Sequence, residues 1–115
     1  MTAAVFVAQR LSAVVLAFAV VVHLATILYA VRGGLTAEDI LSRTRENAWF
    51  LAFYLVFVVA IAVHAPIGLR NILREWTPWH GRSLDVALGI FALILLLLGA
   101  RAALAVYLPI AMFLR

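Results

Sequence analysis

The sequence predicts an all-α integral membrane protein built on three transmembrane helices. Three observations lead there. Hydrophobic residues make up 68% of the 115-residue chain, against roughly 45–50% in an ordinary globular protein, and the mean hydropathy is +1.17. These residues gather into three runs, each matching the roughly 20 residues with which a helix crosses a ~30 Å hydrocarbon core. Arginines and aromatics collect at the ends of the runs, where amphipathic side chains meet lipid headgroups. A chain so short and so apolar has lipid as its solvent, and one membrane domain over residues 1–115 is expected.

The first run extends from about Leu11 to Val31. Arg10 precedes it, and Arg32-Gly33-Gly34 supplies a helix stop. The second extends from about Ala48 to Leu69, with Trp49 and Tyr54 near its start and Arg70, Arg74 and Trp76 at its end. Pro66 either kinks this helix or is tolerated, as membrane prolines often are. The third extends from about Leu84 to Tyr107 and contains four consecutive leucines, Leu95 to Leu98, expected to face lipid. Gly89, Gly99 and Ala100 are the positions there expected to meet other helices. Between the first two runs, Thr36-Ala37-Glu38-Asp39 reads as an N-cap with acidic first-turn residues, so a short surface helix is expected. The connection from Glu75 to Ser83 is tight, and His80 within it is expected to be solvated.

Cysteine is absent. That excludes disulfides, thiolate metal sites, iron–sulfur ligation and covalent c-type haem. Every one of the nine basic residues is arginine. Because they flank apolar runs, the net charge of +4 points to a bilayer and not to nucleic acid. The opening residues Met1 to Val5 carry no basic run of the kind that begins a signal peptide. With three crossings, Arg10, Arg70, Arg74 and Arg82 fall on one side, and Arg32, Arg43, Arg45 and Arg115 on the other, with Arg101 near the latter. That balance does not decide the topology.

Ionisable groups at membrane depth are costly and usually functional. Two stand out, His23 in the first run and His64 in the second. Neutral imidazole is the usual axial ligand of b-type haem, with its second nitrogen held by a hydrogen bond. Each ring, taken alone, is as well read as a hydrogen-bonding contact across a helix interface; two in a chain so poor in polar residues shift the balance toward haem. His64, Gly68, Asn71 and Glu75 share one helix face. Gly68 leaves room for a flat macrocycle or for a close helix, and Asn71 and Arg70 can reach a propionate near the surface. On the first helix, Ser12 and His23 are eleven residues apart, about three turns, and face one way at different depths. Arg10, Gln9 and Ser12 at its mouth either offer donors to a quinone head group or are an anchoring arginine with ordinary neighbours. The third run holds no histidine.

These segments resemble the cytochrome b anchor subunits of the succinate:quinone oxidoreductase family. Their first helix opens with a pattern like H-R-x-S-G, where this chain reads Gln9-Arg10-Leu11-Ser12-Ala13. Their second helix ends with a pattern like H-x-x-x-G-x-R-H-x-x-x-D, where this chain reads His64 to Glu75 without gaps. Gln9 and Asn71 stand where the family has histidine, Ala13 where it has glycine, and Phe6 where some single-haem relatives have a quinone-contacting serine. The resemblance implies that His64 is an axial ligand of haem b, that Arg70 lies near the propionates, and that Arg10 and Ser12 lie near a quinone. His23 resembles the first-helix histidine of two-haem forms.

The resemblance further implies a subunit of succinate dehydrogenase or fumarate reductase without catalytic activity of its own. It would anchor a flavoprotein subunit and an iron–sulfur subunit in the inner (cytoplasmic) membrane and pass electrons to or from quinone. Depth bears on the haem count. His23 lies roughly 20 Å along its helix from Arg10, and His64 about 9–15 Å from Arg70 and Arg74. If these arginines share a level, His23 is the deeper ring by roughly 5–11 Å, a poor match for two ligands each ~2 Å from one metal. Two haems are therefore expected over one. Their opposing ligands come from a second haem-ligating membrane subunit, or from another copy of this chain, in a shared helical bundle. Two other readings fit the residues: a cytochrome b subunit of a different oxidoreductase, and a haem-free structural or transport subunit.

Overall fold

The computed structural model describes residues 2–108. Four helices and no strand occur among them: α1 (Ala3–Gly33), α2 (Ala37–Thr44), α3 (Ala48–Trp76) and α4 (Arg82–Tyr107). α1, α3 and α4 are the three long apolar helices, each long enough to span a membrane. All begin before or end beyond the apolar runs. α1 starts at Ala3, capped by the Thr2 side chain. α3 continues through Pro66 and past Arg70 and Arg74 to Trp76. A helix satisfies its own backbone polar groups in lipid, and extending it into the headgroup region carries the arginines to water. Arg115 lies outside the described residues.

α3 is the central helix, with α1 along one side and α4 along the other. The closest approaches use small residues, as expected where packing and not the hydrophobic effect drives association. Ala19, Ala60 and Ala103 are buried there. Gly99 meets Val58 so closely that a Cβ on Gly99 would stand 2.6 Å from Val58 Cγ1. Gly89, expected at a helix contact, faces open space instead, because a Cβ there would meet nothing within 4 Å. Leu97 and Leu98 are exposed, and so are Val14, Phe18 and Val21 of α1. In water such surface would aggregate; in a bilayer it faces acyl chains or other membrane subunits.

The connections are built by caps. Thr36 and Asp39 form a reciprocal capping box that starts α2, which gives the short surface helix expected from the sequence. The Asp39 carboxyl is held below the usual carboxylate range, first by the hydrogen bond from the Thr36 side chain and then by the one from its backbone. Arg43 donates to the Gly34 carbonyl and lies over the Tyr29 ring. Asn47 caps α3 by accepting from the Trp49 and Phe50 amides. The α2–α3 corner also closes the end of α4: the Thr44 hydroxyl donates to the Val106 carbonyl, and the Glu46 amide to that of Tyr107. These are two of the carbonyls that a helix C-terminus leaves unpaired. At the opposite end, Gly81 takes a positive φ of 87° to turn into α4. His80 donates its Nδ1 hydrogen to the Pro78 carbonyl at 2.7 Å in an exposed loop.

Candidate functional site

α1 and α3 run antiparallel, and three contacts set their register. Ser12 Oγ lies 3.3 Å from His64 Nδ1. The Gln9 side chain lies over Gly68, with Nε2 at 3.4 Å from where a Cβ would be. His23 Nδ1 lies 3.1 Å from the Tyr54 hydroxyl. Ser12 and His64 thus mark one level of the membrane, and His23 and Tyr54 another. Ser12 and His23 are eleven residues apart, roughly 16 Å along α1, and Tyr54 and His64 ten apart, about 15 Å along α3. The separation exceeds the 5–11 Å that a common arginine level predicts. Arg10 stands opposite Pro66–Ile67 in this register, roughly 5 Å deeper than Arg70. A long, snorkelling side chain says little about the depth of its own backbone.

The upper level brings together His64, Ser12, Gln9 and Gly68. Ser12 is buried, and its hydroxyl donates to the Gln9 carbonyl at 3.0 Å. Gly68 admits a neighbouring helix here, since Gln9 fills its open face. The Gln9 Oε1 atom is buried without a hydrogen-bond partner among the described residues. Beside this cluster an apolar groove of about 500 Å³ runs between α1 and α3, lined by Ala8, Ser12, Val56, Val59, Ala60 and Val63 among others.

Arg10 is not brought to Ser12. Two residues along a helix point to different faces, and Arg10 lies exposed over the Phe6 ring. Arg70 is half-buried at the α3–α4 boundary, where its Nε donates to Asp85 Oδ1 at 2.7 Å. Asp85, one turn into α4, was not singled out from the sequence. A lone acidic residue at a helix start reads as a dipole partner, and only the packing of α4 on α3 shows its arginine. That single contact leaves the terminal nitrogens of the guanidinium for a further acceptor. With Arg74, Thr2, Val5 and Ile67, the pair lines a cavity of about 560 Å³ at this end of the bundle. Asn71 is half-buried on the same helix.

At the lower level, His23 is packed edge-on against Tyr54 and Phe57. Tyr54, read in the sequence as an interfacial aromatic, is the partner of this ring. A spacing argument within one helix has no means of pairing residues on two helices. Each level holds one imidazole, and no group of three or more His, Cys, Asp or Glu able to hold a metal ion occurs among the described residues. A haem at either level would be held, on this chain, by that one imidazole, which would supply a neutral nitrogen ligand to its iron. The donor set fits such a group, since each histidine engages a hydroxyl of the facing helix through Nδ1 and so has its second ring nitrogen free of that contact.

Three long apolar helices, with a histidine pinned at each of two depths, define a multi-pass membrane protein. The family model described as succinate dehydrogenase/fumarate reductase transmembrane subunit matches residues 1–100. The chain belongs to that family. Comparison with curated proteins and with solved structures returned no match.

Proposed function

We propose that this membrane subunit carries b-type haem at two levels and serves electron transfer between an iron–sulfur subunit and membrane quinone. The observation that carries the reading is the pair of histidines, each at membrane depth, each tethered through Nδ1, on separate levels. A histidine kept for helix packing alone needs no second histidine in the same arrangement on the next level. A bound b haem supplies a one-electron centre within the bilayer. His64 holds the upper site and His23 the lower. Arg70, with nitrogens to spare beyond Asp85, and Asn71 one residue on, receive the propionates near the surface. Arg10, by resemblance, serves the quinone at the end facing the soluble subunits; Ser12, which the resemblance also places there, has its one hydrogen engaged by the Gln9 carbonyl. A homologous membrane subunit or a second copy of this chain contributes the opposing ligands, a flavoprotein subunit completes the assembly, and the inner membrane is its place.

The test is a reduced-minus-oxidised spectrum of the purified complex, with haem measured per protein, in the parent and in His64→Ala. Loss of a low-spin b-type component in the variant is expected. An unchanged spectrum from assembled His64→Ala complex would overturn the reading.

A further inference from the structure

We propose that Ser12 is a positioning residue for His64: its hydroxyl accepts the imidazole Nδ1–H and so presents the Nε2 lone pair as the metal ligand. The inference rests on the haem reading above, and it deepens it by fixing the tautomer. A serine hydroxyl has one hydrogen. The Gln9 carbonyl can only accept, so the 3.0 Å contact uses that hydrogen. What remains on Ser12 Oγ is acceptor capacity, and it faces His64 Nδ1 at 3.3 Å. Two acceptors do not bond, so Nδ1 carries the hydrogen. A neutral imidazole has one N–H, and the lone pair therefore falls on Nε2.

Several features make the arrangement firm. Ser12 is only 7% exposed, so water does not compete for the bond. Ser12 and Gln9 sit within one turn of α1, and the carbonyl that orients the hydroxyl cannot move without breaking the helix. Gly68, one turn beyond His64, lets the Gln9 side chain pack against α3. Such an outer hydrogen bond fixes ring orientation and raises ligand basicity. A more basic imidazole favours ferric over ferrous iron, so the bond lowers the potential of the haem on His64. The Tyr54 hydroxyl beside His23 both donates and accepts, so the lower level fixes no tautomer by the same logic.

The experiment compares Ser12→Ala and Ser12→Thr in the whole complex. It reads the midpoint potential and the low-spin electron paramagnetic resonance of the haem that His64→Ala removes. Ser12→Ala is expected to shift the ferric/ferrous equilibrium about three- to tenfold toward ferrous, a rise of ~30–60 mV at 59 mV per decade for one electron. Ser12→Thr keeps the hydroxyl and is expected to restore the parental potential. Should Ser12→Ala lose the haem outright, recovery by Ser12→Thr supports the role. The inference is overturned if both variants behave alike, if the potential falls, or if only the apparent KM for quinone moves. The last result would assign the hydroxyl to quinone instead. Haem retained in His64→Ala would be a failure of the haem reading itself, seen in a separate variant.

Discussion

Replacing His23 with alanine is expected to remove one haem and leave the other. Two imidazoles on one iron, each ~2 Å from the metal, have their ligating nitrogens about 4 Å apart. The register of α1 on α3 puts His23 level with Tyr54 and His64 level with Ser12. The ten residues from Tyr54 to His64 correspond to roughly 15 Å along the helix. To share an iron, α1 would have to slide by at least about 11 Å, some seven residues or two turns, and by nearly the full ~15 Å if the two bonds to iron ran across the helices. That slide would bring neither Ser12 to His64 nor Gln9 to Gly68. The assay is the pyridine haemochromogen content per complex, with redox titration of the b-type absorbance. The parent is expected to titrate as two centres, and His23→Ala as one, with the remaining centre close to its parental potential. His64→Ala is expected to keep the complementary centre. Loss of both haems from an assembled His23→Ala complex would refute the separation into levels. Retention of full haem with His23 absent would return that ring to a packing contact with Tyr54 and Phe57.

Other expectations follow from particular contacts. Gly99→Ala drives a methyl into the stiff, β-branched Val58 and is expected to cost about 1–3 kcal/mol; denaturant unfolding in detergent would measure it, and Val58→Ala should recover most of the loss. Arg10→Leu is expected to depress quinone-linked turnover while activity with an artificial acceptor on the flavin side persists; equal loss of both would point to failed assembly. The Asp39 carboxylate is held by Thr36, which lowers its pKa, so its contribution to α2 is complete above the unfolded carboxylate value of about 3.9. It is lost as pH falls through the lower folded value. Amide hydrogen exchange in α2 is expected to rise across that acidic window, and at higher pH in Thr36→Ala; exchange indifferent to both changes would contradict the capping box.

Much of this protein is legible in one dimension. Hydrocarbon demands about 20 apolar residues per crossing and internal backbone hydrogen bonds, so the three apolar runs dictate three long helices. Local chemistry sufficed for Thr36 and Asp39, because a capping box spans only four residues. His64 and His23 were visible as candidates because ionisable groups are rare at depth. The motif around His64 was enough to suggest the family, since its spacing lies within one helix. What the tertiary structure decided concerns pairs of helices. Ser12 reads as a quinone contact or an ordinary serine until α1 is docked on α3, where its hydroxyl meets His64 Nδ1. Arg10 reads as its neighbour at one site, yet helical rotation turns it outward onto Phe6. Asp85 has no partner in the sequence and an arginine in the fold. Gly89 and Gly99 look alike as small residues, but only Gly99 faces another helix closely. Apolar periodicity says that a helix packs or meets lipid; it does not say against what, or at which level. Register between helices is set by side-chain shape at a few close approaches, and that information is carried by residues 31 and 52 positions apart.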